Sequence, residues 1–238
     1  MSENKTKSPG KLRGSISISI ICFFVFSLGF LPIIIGGAYV IIFIPFNQIW
    51  QFLLIPVIIY VGILVTLFYQ ILFSGIVIYI FNIKYEPGVY EYTYNNKMAY
   101  RWSIVCSLYT PIRKLIEMFP VGRMKITYLR MLGMKIGSNC LVGGVIKDPC
   151  LTEFGDNVTM GEYAIIYGHI QNMEKTTLTM DRIKIGNNCV IGAGAIIMPG
   201  AVLKDNVKLA AGALVTKGQV LKKGRMYGGV PAKEIKKK

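Results

Sequence analysis

The 238-residue chain has one histidine, His169, and no charged side chain anywhere between Gly14 and Lys84. The first scarcity excludes a metal centre built from several imidazoles of one chain. The second excludes an ordinary soluble domain over the first third of the sequence, because soluble helices of that length carry charge on their outward faces. Acidic residues are few as well, 12 Asp and Glu against 27 Lys and Arg, for a formal net charge of +15. That excess would suit nucleic acid, but the basic residues flank the apolar region and recur at Lys233, Lys236, Lys237 and Lys238 without a nucleic-acid motif. Attraction to anionic lipid headgroups accounts for them, and no nucleic-acid partner is expected. The five cysteines, Cys22, Cys106, Cys140, Cys150 and Cys189, lack metal-site spacing and read as reduced packing residues.

Within the charge-free region, residues 15–44 and 52–81 are each long enough to cross a hydrocarbon core of about 30 Å as a helix. A cleaved signal peptide has a much shorter apolar core. Pro32 and Pro56 fall inside these stretches and are expected to kink them. The turn between them runs from Pro45 and Phe46 to Gln51, with Trp50 suited to a membrane interface. Lys5, Lys7, Lys11 and Arg13 precede the first stretch, and Lys84, Lys97 and Arg101 follow the second, while the turn is uncharged. The positive-inside bias therefore puts both termini, and all that follows the second stretch, on the cytoplasmic side of a cell membrane.

Four segments result: a basic N-terminus (1–14), two transmembrane helices (15–82), a juxtamembrane segment (83–127) and a repeat domain (128–238). In the third, Tyr100, Ile104, Leu108 and Ile112, then Leu115, Ile116 and Phe119, recur at helical spacing. They predict two short amphipathic helices divided near Pro111, lying either on the membrane face or against the repeat domain.

From Ile185 an aliphatic residue recurs every sixth position, at Ile191, Ile197, Leu203, Leu209 and Val215, the period of a hexapeptide β-helix. The same ruler run backwards from Ile166 meets Met160 and Phe154, misses at Asp148, and then meets Val142 and Ile136. The two blocks are out of phase, so the segment from about His169 to Lys184 must leave the coil and loop outward. Gly, Asn and Asp follow the aliphatic positions, as at Ile185-Gly186-Asn187-Asn188, where a triangular coil turns its corners. Flat outer faces of such a coil favour burial against further copies, and a homo-oligomer is expected.

On these residues the region from Tyr128 to Lys238 resembles the left-handed β-helix (hexapeptide-repeat) acyltransferases. The block from Asp148-Pro149-Cys150 through Gly155-Asp156-Asn157 to Met160-Gly161 is similar to one recurring in sugar, serine and cell-envelope acetyltransferases. So are Pro199-Gly200-Ala201, Val215-Thr216-Lys217-Gly218 and Gly229-Val230-Pro231-Ala232-Lys233, while the entry from Tyr128 to Gly137 is similar to that of membrane-associated members. The resemblance implies an all-β left-handed parallel β-helix, here preceded by a two-helix transmembrane hairpin and short amphipathic helices. It also implies homotrimers that bind acetyl-CoA or another acyl-CoA between two protomers.

Members of that family use a histidine as general base, a role that His169 alone can fill here, and an imidazole suits removal of the acceptor's proton near neutral pH. Among carboxylates for orienting it, Glu162, Glu174 and Asp181, the resemblance favours Glu174. Gly192, Ala193, Gly194, Gly200, Ala201 and Gly212 offer the close backbone approach a pantetheine arm needs, although coil corners alone also select small residues. Thr216 and Lys217 resemble family positions near CoA, and Lys217 or Lys233 is suited to its phosphates. No helix follows the glycines, so they form no dinucleotide fingerprint. Cys150 stands where similar members often have histidine, and reads either as an acyl-accepting nucleophile or as a packing thiol.

The expected activity is acetyl transfer to a hydroxyl or amine of a sugar, lipid-linked or envelope precursor at the cytoplasmic membrane face. Acetyl-CoA is the donor, membrane lipids are partners, and no metal is required. The alternatives are a carbonic anhydrase, which the single histidine argues against, and a non-catalytic membrane scaffold that oligomerises through its coil.

Overall fold

The computed structural model describes residues 9–44, 47–119 and 121–236. Lys5, Lys7, Pro45, Phe46, Lys237 and Lys238, and the side chain of Lys11, lie outside the described residues. The chain divides into two compact units, Met1–Ile83 with Ser103–Tyr128, and Lys84–Trp102 with Leu129–Lys238.

In the first unit, α1 (Pro9–Phe43) and α3 (Ile55–Ile80) are 35 and 26 residues long. At about 1.5 Å per residue they measure roughly 52 and 39 Å, more than a hydrocarbon core needs. By length and composition both can cross a membrane. Their outward faces are apolar, with Phe23 69% and Ile34 62% exposed. Between them α2 (Ile49–Phe52) makes one turn, where the Gln48 N–H donates to Gln51 Oε1 at 3.0 Å. Pro32 lies inside α1, but Pro56 opens α3 rather than kinking it. A missing N–H costs nothing there, since the first turn of a helix leaves its N–H groups unbonded.

The expected break at Pro111 is also displaced. α4 (Lys97–Met118) continues through that residue, and α5 (Arg123–Met131) follows after residues 119–122. Ile104, Leu108, Ile112 and Ile116 are all buried and form one stripe across the proline. Burying that stripe outweighs the one hydrogen bond that proline removes. The stripe is covered by protein rather than presented to a membrane surface.

In the second unit, three parallel sheets wrap around one apolar column each. Ile136, Phe154, Ile185, Leu203 and Leu221 stack in register on the first face. Val142, Met160, Ile191, Leu209 and Tyr227 stack on the second. Ile146, Ile166, Ile197 and Val215 stack on the third. Strands only two or three residues long suffice because each is hydrogen-bonded above and below, as a left-handed β-helix requires.

The corner between first and second faces shows why the sequence repeats asparagine. Asn139, Asn157, Asn188 and Asn206 all have φ between 52° and 60°. Asparagine tolerates that left-handed conformation, and its amide forms a ladder from Asn139 Nδ2 to Asn157 Oδ1 (2.9 Å) and from Asn157 Nδ2 to Asn188 Oδ1 (3.1 Å).

The periodicity fails at Asp148 for a structural reason. In the first coil the inward residue of the third face is Ile146, four positions after Val142 instead of six. Gly143-Gly144 permits that short corner, since a Cβ on Gly144 would overlap the Ala164 carbonyl oxygen. The two residues saved reappear at the next corner, which places Asp148 on the edge between third and first faces.

Candidate active site

That edge carries the one large interruption of the coil. Phe154 pairs with Ile185, 31 positions on, where uninterrupted coils take 18, as from Ile185 to Leu203. The extra chain is a hairpin of His169–Asn172 and Thr177–Met180, joined by the strand Gly88–Glu91 in a three-stranded antiparallel sheet. The outward loop expected between His169 and Lys184 is therefore an ordered hairpin, and His169 is its first residue.

His169 Nδ1 lies 2.7 Å from Asp148 Oδ2, and Asp148 is fully buried. The same oxygen accepts the Gly168 N–H at 2.8 Å. The other oxygen accepts Tyr85 OH at 2.9 Å and Trp102 Nε1–H at 3.2 Å. Each oxygen thus meets an N–H that can only donate, and the group fits as an ionised carboxylate that accepts from all four partners. His169 Nδ1 then carries a hydrogen, so that in the uncharged form of the ring the lone pair lies on Nε2. The Trp102 ring packs on the imidazole edge-on, with centroids 4.8 Å apart, and fixes its plane. The His169 side chain keeps 15% of its surface exposed.

The arrangement leaves no slack. A Cβ on Gly168 would sit 2.7 Å from Asp148 Cβ, so any side chain there would displace the carboxylate. Cys150, two residues on, has its thiol 3.8 Å from the Tyr85 carbonyl. Part of the residue remains exposed, but its neighbours crowd the sulfur, and burial pushes the thiol up to about 11. A thiol so placed is protonated and unreactive near neutral pH, which fits the packing reading of Cys150 and not the nucleophile reading.

The carboxylate on His169 is Asp148, not Glu174 as expected. Glu174 is exposed in the hairpin turn, where solvent, not the imidazole, surrounds it. Glu162 is exposed at another corner, and Asp181 Oδ1 accepts the Arg182 N–H.

The residues expected along the cofactor fall on two edges. Gly200, Ala201, Thr216 and Lys217 lie between third and first faces, the edge that bears His169. Gly192, Ala193, Gly194 and Gly212 lie between second and third faces. There Gly212 N–H donates to the Ala193 carbonyl at 2.9 Å. Thr216 has a structural task, since its N–H and hydroxyl both bond Gln219 Oε1 (2.9 and 3.2 Å). Lys217 and Lys233 are exposed, the latter in a short strand that pairs back on Tyr227 and Gly228. Among the described residues no group of three His, Cys, Asp or Glu side chains is placed to hold a metal.

Residues 182–217 match the family model described as bacterial transferase hexapeptide (six repeats). Several solved structures are similar to this chain. One is a maltose O-acetyltransferase from Clostridium difficile 630, 21% identical over 63% of this chain and 92% of that one, with a TM-score of 0.48. A galactoside acetyltransferase in complex with coenzyme A is 22% identical over 52% and 77%, with a TM-score of 0.39. A hexapeptide-repeat acetyltransferase from Vibrio cholerae O1 biovar eltor, complexed with acetyl coenzyme A, is 17% identical over 52% and 81%, with a TM-score of 0.45. No curated protein matches the sequence.

Sequence reasoning singled out His169 but not Asp148, Tyr85 and Trp102, the residues that surround it. For Asp148 a signal was present: it is where the hexad ruler fails, and an acidic residue in an apolar column marks a departure from the coil. Tyr85 and Trp102 gave none, because they lie 63 and 46 positions from the carboxylate they bond.

Proposed function

We propose that the chain is an acyl-CoA-dependent O- or N-acyltransferase, with acetyl-CoA as donor and His169 as general base. The observation that carries the reading is the imidazole held through Nδ1 by the buried, four-donor Asp148 carboxylate. In this reading His169 Nε2 takes the proton of the acceptor hydroxyl or amine as its oxygen or nitrogen attacks the thioester carbonyl. Asp148 steadies the imidazolium that forms. The carbon–sulfur bond then breaks, and the leaving CoA thiolate takes up the proton from His169. Backbone N–H groups are the proposed donors to the oxyanion.

The cofactor residues Gly192, Ala193, Gly194, Gly200, Ala201, Gly212, Thr216, Lys217 and Lys233 remain the proposed CoA surface. Their division between two edges supports a homotrimer, since a groove between copies takes one edge from each. The uncovered apolar faces of α1 and α3 support a membrane anchor, with both termini and the coil on the cytoplasmic side. The acceptor proposed is a sugar, lipid-linked or envelope precursor reached at that face.

The test is calorimetric titration of the detergent-purified chain with acetyl-CoA, with thiol release followed in parallel, for wild type and His169→Ala. Binding in both, with turnover reduced by roughly a hundredfold or more in the variant, is the expected outcome. Absence of binding in both overturns the reading and leaves a scaffold.

A further inference from the structure

Two side chains beside His169 have no part in holding it. The Tyr167 ring stands edge-on to the imidazole, with centroids 6.5 Å apart. The Lys147 ammonium in turn lies 5.9 Å from the centroid of the Tyr167 ring. The register of the coil brings them together: Ile146 pairs with Ile166, so the residues that follow, Lys147 and Tyr167, are neighbours on adjacent coils. The Lys147 N–H donates to the Ile166 carbonyl and the Tyr167 N–H to the Ile197 carbonyl, both at 2.9 Å. Both residues are half-buried. The next two coils carry Met198 and Thr216 at the same position, so the charge in this column stands next to the base and not further along the edge.

An ordinary surface lysine extends its ammonium into water, and holding it over a ring gives up side-chain entropy. Here the cation–π contact keeps the charge one aromatic ring away from the imidazole. A positive charge so near a general base opposes the imidazolium that forms on proton transfer. An anion on the acceptor cancels that opposition as it binds, so a charged acceptor is favoured over its neutral analogue at the transfer step itself. An ammonium has several N–H donors, and an anion joins the contacts that Lys147 already makes. The phosphates of CoA do not fill this role, because a thioester carbonyl beside His169 puts the whole pantetheine arm between the two groups.

We propose that Lys147, held against the Tyr167 ring, binds a phosphate group of the acceptor and thereby brings a hydroxyl or amine one sugar unit away to His169 Nε2. The proposal rests on the acyltransferase reading and narrows its acceptor to a phosphorylated sugar, either soluble or carried on a lipid phosphate.

The test uses the full chain, purified in detergent without a histidine tag and labelled with 15N-histidine, so that the one imidazole reports from the site. It is titrated at constant ionic strength with glucose 1-phosphate, with farnesyl phosphate and with glucose. Both phosphates should move the imidazole signals saturably, and glucose should not. Lys147→Met should weaken both by roughly tenfold to a hundredfold, the loss expected of one hydrogen bond to a charged group, while Lys147→Arg keeps the charge and retains binding. Tighter binding of glucose 1-phosphate supports the soluble source, and tighter binding of farnesyl phosphate the lipid carrier. Acetyl-CoA should leave the titration in place. No saturable shift with either phosphate, undiminished affinity in Lys147→Met, or competition by acetyl-CoA overturns the proposal. The wild-type comparison needs no variant to fold. This titration needs no CoA and the calorimetry needs no phosphate, so the acyltransferase reading and the acceptor proposal fail separately.

Discussion

Replacing Asp148 by Asn tests the candidate site most directly, because it keeps size and shape and changes only what the side chain can accept. The carboxylate takes two donors on each oxygen, and one on each side, Trp102 Nε1–H or Gly168 N–H, cannot reverse its role. An amide must turn its NH2 toward one side. Facing Gly168 and His169, it leaves the Gly168 N–H unpaired and forces the imidazole hydrogen from Nδ1 to Nε2, which removes the proposed base. Facing Tyr85 and Trp102, it preserves the tautomer but leaves the indole N–H unpaired and withdraws the negative charge behind the imidazolium.

Either orientation leaves one buried donor unsatisfied, about 1–3 kcal/mol of lost stability. Loss of a hydrogen bond to a charged partner, about 1.5–3 kcal/mol, corresponds to turnover lower by roughly tenfold to a hundredfold. Thiol release from acetyl-CoA and unfolding of the full chain in detergent measure the two effects. The chain's only histidine gives one imidazole in a 15N-histidine spectrum, and its hydrogen is expected on Nδ1 in the wild type. Turnover within twofold of wild type with CoA binding intact, or a wild-type hydrogen on Nε2, would refute the reasoning.

Gly168→Ala should act on the same carboxylate without touching it chemically: its Cβ would displace Asp148, and turnover should fall together with stability. Unchanged turnover would show that the Asp148 position is not critical. With its thiol near 11, Cys150 is about one part in a thousand thiolate at pH 8, so iodoacetamide should leave it unmodified in the native chain until the pH rises toward that value. A trapped acyl-Cys150 thioester would restore the nucleophile reading. Ile197→Ala removes a fully buried member of the third column and should cost about 2–5 kcal/mol, read from denaturant unfolding. A cost below 1 kcal/mol would mean that the column is not the core of the coil.

Much of the fold was legible because its determinants are local. One inward slot every six residues specifies the coil, and each of Ile185, Ile191, Ile197, Leu203, Leu209 and Val215 occupies a column position. Two long charge-free runs specify α1 and α3 for the same reason. Elements governed by a balance of forces were less legible. Pro111 reads as a break in isolation, yet α4 passes through it because a buried stripe continues on both sides. Glu174 lies near His169 in sequence, but the hairpin carries it out to an exposed turn.

The sequence by itself therefore determined the repeat, its outward break and the identity of the one imidazole available for proton transfer, since these depend on composition and fixed short spacings. Only the tertiary structure decided which groups hold that imidazole. Its carboxylate lies 21 positions away in another coil, held by a tyrosine and a tryptophan from a segment that precedes the coil altogether. Those partners meet because parallel strands stack one coil on the next and an antiparallel sheet folds the hairpin against Gly88–Glu91. A buried carboxylate finds its donors by closure of the chain in space, which no sequence period encodes.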